Sequence, residues 1–65
     1  MIYTQKTKKH NIEKIIELIY DIDDSGYNEL DIDDYDIYLT RDMIEPIKAA
    51  LKQYKLRFNG NIISW

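Results

Sequence analysis

Tyr27-Asn28-Glu29-Leu30-Asp31-Ile32-Asp33-Asp34-Tyr35-Asp36-Ile37-Tyr38-Leu39-Thr40 decides the fold, because its apolar alternation changes phase midway. Leu30 and Ile32 are apolar at even positions; Tyr35, Ile37 and Leu39 are apolar at odd ones. One straight strand cannot hold both sets on a single face. A hairpin with Asp33-Asp34 as its two-residue loop can, since Ile32 then faces Tyr35, Leu30 faces Ile37 and Asn28 faces Leu39. The opposite face would set Asp31 against Asp36 and Glu29 against Tyr38. Asp-Asp is a poor loop for the positive φ values required, so a bulge or a longer loop is the variant that keeps the same faces.

Upstream, Ile12, Ile15, Ile16, Ile19 and Ile22 recur at three- and four-residue spacing, with Glu13, Lys14 and Glu17 outside that stripe. This predicts a helix over residues 11–23, capped by Thr7 or Asn11 and stopped by Ser25-Gly26. Ile2 to Gln5 reads as a short strand. Downstream, Asp42 to Glu45 has capping-box spacing, and Pro46 belongs near a first turn. A second helix is therefore expected over 42–55, with Ile44, Ile47, Ala50, Leu51 and Tyr54 inward and Lys48, Lys52 and Lys55 in solvent. Asn59-Gly60 signals a turn before a strand at Ile62-Ile63-Ser64-Trp65; alternatively the helix runs on to Phe58 with Gly60 as its C′ residue.

The expected fold class is α+β, a small antiparallel sheet covered by two helices in the order β-α-β-β-α-β, like a split βαβ unit. The alternative is two helices plus one β-hairpin. With 65 residues the chain is read as a single domain, 1–65. A chain of this size buries only about 60% of the surface its unfolded form exposes, so its stability is expected to be slim. The absence of cysteine excludes a disulfide scaffold and a thiolate metal site and suits a reducing, cytoplasmic setting. Met1 to Lys6 has no apolar run behind it, so neither a signal peptide nor a membrane span is expected.

Charge is the most uneven property. The formal net charge is only −3, yet residues 21–36 hold eight carboxylates and no base: Asp21, Asp23, Asp24, Glu29, Asp31, Asp33, Asp34 and Asp36. Apolar residues are threaded through this block, which argues for a folded segment rather than an acidic tail. Placed on the expected elements, the block breaks local rules. Asp21, Asp23 and Asp24 crowd the negative end of helix 1 while Lys8 and Lys9 sit at its positive end, each misplacement costing about 0.3–1 kcal/mol when exposed. Asp31 opposite Asp36 adds a like-charge pair. Either neighbouring Lys or Arg side chains neutralise the block, or it serves solubility, or it meets a partner.

Enzymatic chemistry finds little support. His10 has no serine or cysteine motif to activate, two glycines make no phosphate loop, and carboxylates at a hairpin tip lack the divergent environments of an acid–base pair. No cofactor is expected. Asp21-Ile22-Asp23-Asp24-Ser25-Gly26 matches positions 1, 3, 5 and 6 of an EF-hand loop, but Asn28 and Ile32 fail the eighth and twelfth positions. That leaves weak calcium binding as an alternative and assigns no metal site. The lysine stripe on helix 2 reads as a solvated face in a protein of pI about 4.9, so no direct nucleic-acid binding is expected.

The functional expectation is a non-enzymatic acidic binding protein. Asp23, Asp24, Glu29, Asp31, Asp33, Asp34 and Asp36 would enter a basic nucleic-acid-binding site on a partner protein, as nucleic-acid mimics and nuclease inhibitors do. Phage and mobile elements use such proteins against restriction or CRISPR effectors, an analogy of charge alone. The alternative is an oligomeric interaction module, with a possible homodimer formed through a sheet edge or a Tyr/Trp patch.

Overall fold

A computed structural model describes residues 5–65, with side chains from residue 8 onward. The described elements are α1 (Gln5–Asp24), β1 (Glu29–Asp31), a 3-10 turn (Ile32–Tyr35), α2 (Arg41–Ala50), β2 (Arg57–Asn59) and β3 (Ile62–Ser64). Two helices and a three-stranded antiparallel sheet make this an α+β fold, as expected. The strand expected at residues 2–5 lies outside the described residues apart from Gln5, which is helical.

Helix α1 follows the isoleucine stripe. Ile15 and Ile19 are fully buried, and Ile12, Ile16 and Ile22 pack half-buried against the core. It ends in a Schellman closure: Gly26 donates to the Asp23 carbonyl and Tyr27 to the Ile22 carbonyl, both at 3.0 Å. Gly26 sits at φ +92°, a conformation that a Cβ would strain.

The phase change at residues 32–35 is absorbed by a 3-10 turn, not by the expected hairpin. The Asp31 carboxylate accepts the Asp33 backbone N–H at 3.1 Å, which holds the chain in a tight turn of negative φ. A two-residue hairpin at Asp33-Asp34 would have needed positive φ there; Asp36, closing the turn, is the only non-glycine described residue that adopts it, at φ 55°. Asp31 consequently pairs with Ile62 rather than facing Asp36, and residues 37–40 belong to no strand or helix.

Helix α2 is shorter than expected and shifted in register. Thr40 is the N-cap; its backbone N–H donates to Met43 Sδ at 3.4 Å, and its hydroxyl donates to Asp42. Pro46 therefore stands in the second turn and removes a bond to the Asp42 carbonyl. The buried face passes through Met43, Ile47 and Leu51, while Ala50 is exposed. With the helix ending at Ala50, Lys48, Lys52 and Lys55 no longer share one helical stripe.

The true hairpin is β2–β3. Gly60 at φ +61° opens a two-residue loop, the pattern of a type II′ turn. Strand β3 is central, in the order β1-β3-β2, with Leu30, Ile63 and Phe58 in register across the inner face. That face meets Ile15, Ile19, Met43, Ile47 and Leu51 from the helices, and Leu56 completes the cluster. Both helices thus lie on one side of the sheet.

Candidate functional site

The acidic block follows the chain from the end of α1, along edge strand β1, into the 3-10 turn. Each carboxylate has a different situation. Asp23 is held within the fold: Tyr54 donates its hydroxyl to one oxygen at 2.9 Å and Trp65 donates its indole N–H to the other at 3.2 Å. Around it Tyr54 stacks edge-on with both Tyr20 and Trp65, at centroid distances of 6.0 and 6.2 Å. The carboxylate holds the Tyr54 hydroxyl above the ordinary tyrosine range, because ionising it would place two negative charges in contact.

Asp31 caps the 3-10 turn. Asp33 accepts the Asn61 side-chain amide at 2.9 Å, and the Asn61 carbonyl accepts the Ile32 N–H at 2.9 Å, so the β2–β3 loop clamps the acidic turn. Asp24, Glu29, Asp34 and Asp36 are exposed, and their side chains bond to no described residue. Asp33 and Asp36 line one shallow groove of about 300 Å³ together with Ile37, Tyr38, Leu39 and Asn61. Glu29 lines another of about 410 Å³ with Ile22, Tyr27, Asn28 and Tyr35.

No cation among the described residues compensates the block. Among the described residues the one ion pair is Lys8 with Asp42, at 2.6 Å, and it ties α1 to the start of α2, away from the block. Its chief effect is on Asp42, whose carboxyl is held below the ordinary aspartate range by the Lys8 hydrogen bond first and the Thr40 hydroxyl second. No described Lys or Arg comes within 4 Å of a carboxylate in residues 21–36. Neutralisation by described internal neighbours, one of the three readings of the block, is thereby set aside. So is the like-charge penalty expected between Asp31 and Asp36.

The EF-hand-like stretch takes a different local form. Asp21, Asp23 and Asp24 are still helical, so the segment is not a loop wrapping an ion. The Asp21 carbonyl accepts from Ser25, and both Asp23 oxygens are occupied. Among the described residues, no three His, Asp or Glu side chains converge on a metal-sized site. His10 stands exposed on α1.

Tyr54, Asn61 and Trp65 carry more of this arrangement than their spacing in the sequence foretold. Their partners lie 28 to 42 residues away, and long-range pairings of this kind leave no periodic trace. No family model, curated protein or solved structure matches the chain. Among the described residues, no helix is long and apolar enough to cross a membrane.

Proposed function

We propose that this chain is a non-enzymatic, cytoplasmic binding protein whose acidic band occupies a basic nucleic-acid-binding site on a partner protein, in the manner of a nucleic-acid mimic or nuclease inhibitor. The observation that carries this reading is the uncompensated charge of residues 21–36: eight carboxylates with no cation of the described chain within ion-pairing distance. Charges meant only to stabilise a small fold are usually paired or placed to suit a helix end, and Asp24 at the negative end of α1 does neither.

A cleft built for phosphates presents Lys and Arg side chains that lose little by meeting carboxylates instead. Its long-range field speeds the encounter and makes it salt-sensitive. Glu29 and Asp31, two residues apart on β1, repeat at about 6.6–6.8 Å, and the 3-10 turn extends this row with Asp33, Asp34 and Asp36. The clamp from Asn61 fixes the turn before any partner arrives, which lowers the ordering cost of binding.

The test separates binding from folding. Asp24 and Asp34 bond to no described residue, so the double variant D24K/D34K is expected to keep its circular dichroism spectrum. Immobilised parent protein should retain basic nucleic-acid-binding proteins from the native host, or from a host carrying defence nucleases. Duplex DNA or 0.5 M salt should release them, and the variant should not retain them. Equal retention by the variant, or retention that DNA cannot displace, overturns the reading.

A further inference from the structure

We infer that the open face of the sheet is a homodimer interface, in which β1 of one copy lies over β2 of the other. This goes beyond the proposed partner binding, with which it shares Glu29 and Asp31, and brings in Arg57, Asn59, Ile62 and Ser64. Strand alternation places Glu29, Ser64 and Arg57 in one row of the outer face, and Asp31, Ile62 and Asn59 in the next. Neither helix covers this side, since both pack on the inner one. Ile62, the first residue of the central strand, is 37% exposed.

The first row reads negative, hydroxyl, positive. Glu29 and Arg57 are two strand spacings apart, roughly 9.4–9.8 Å, and neither forms an ion pair with a described residue. A pattern of this kind is complementary to itself under one symmetry. A two-fold axis lying between two such faces and parallel to β3 sets β3 over β3 and exchanges the edges, keeping every residue at its own level. Glu29 of each copy then meets Arg57 of the other, Ile62 meets Ile62, and Asp31 meets the Asn59 amide.

The competing two-fold, perpendicular to the strands, would set β1 on β1 and bring Glu29 onto Asp31. Charge selects the first. Aligned sheets pack about 10 Å apart, within reach of a Glu–Arg pair. The basic flank continues beyond the strands at Lys55, which lines a groove with Asn28, Arg57, Ser64 and Trp65. With three strands of three residues the patch is small, so the dimer is weak and salt-dependent.

Sedimentation of the parent chain should show a monomer shifting toward twice its mass as concentration rises to the millimolar range, and less so in 0.5 M salt. E29R and R57E each turn two attractive pairs into repulsive ones and should weaken self-association about tenfold or more. An equimolar mixture of the two restores both attractions and should associate at least as well as the parent. Should either variant fold poorly, amide shifts of the parent on dilution decide the matter: they should cluster at Glu29, Arg57, Ile62 and Ser64. A parent that stays monomeric, a mixture no better than its components, or dilution shifts confined to the helices would overturn the inference. D24K/D34K leaves this face untouched, so failure here is distinct from failure of partner binding.

Discussion

The Tyr54 hydroxyl and the Trp65 indole both donate to Asp23, one to each carboxylate oxygen. Three separate parts of the chain meet there: the last turn of α1, the connection after α2 and the residue following β3. A carboxylate placed against the helix dipole is thus given a structural task by two donors that the dipole cannot supply.

Removing that carboxylate should loosen the C-terminal residue before it unfolds the helices. In D23A the emission of Trp65, the only tryptophan, is expected to shift to the red at 25 °C while far-UV circular dichroism stays near that of the parent. Y54F should give a smaller change in the same direction. An unaltered emission spectrum in D23A would show that the contact carries no weight in solution.

Both ends of the pH scale should erode stability for identifiable reasons. The folded Asp42 carboxyl is depressed by Lys8, so its contribution is complete above the unfolded value of about 3.9 and disappears as pH falls through the lower folded value. For Tyr54 the sign is opposite: its folded value is raised, so its contribution is complete below the unfolded value of about 10 and is lost as pH rises through the higher folded one. Asp42 is exposed, and added salt should shrink the acid effect. Urea titrations across pH should find D42N converging with the parent below that acid window, and Y54F lacking the parent's steeper decline above pH ~10.

Asp24 predicts a gain. Replacing it with lysine exchanges an unfavourable for a favourable charge at the end of α1, worth about 0.3–1 kcal/mol at low ionic strength. The D24K midpoint in urea should rise accordingly, and the gain should fade at 0.5 M salt. A loss of stability would mean that Asp24 has an unrecognised internal role.

The two faces of β3 should respond in opposite ways. Ile63 is fully buried between Leu30 and Phe58; an Ile→Ala change in a core typically costs about 2–5 kcal/mol. A domain of this size rarely holds more than about 3–5 kcal/mol, so I63A should be largely unfolded at 25 °C by circular dichroism. I62A, one residue away on the open face, should remain folded and differ chiefly in self-association.

Much of the fold was legible because periodicity reports burial. The Ile12 to Ile22 stripe marked α1, and Asn59-Gly60 marked the turn before β3. The strand at Arg57 to Asn59 was hidden by the helical spacing of Leu51, Tyr54 and Phe58, which suits a longer α2 equally well. At residues 31–35 the alternation showed that the chain must change direction but not how. A single side chain decided that, Asp31 accepting from the Asp33 N–H. The acidic block was plain in the sequence, while its lack of described cationic neighbours depends on where distant lysines and arginines fold.

Strand β3 is the middle strand of the sheet, yet it follows every other described element along the chain. During synthesis β1 waits some thirty residues for the strand that pairs with it, and β2 cannot stand in, because the two are not neighbours in the sheet. The sheet therefore forms in a single late event. Loop closure over that distance must precede any reward from Leu30 meeting Ile63, the condition under which folding slows. Until then the apolar faces of two finished helices have only each other.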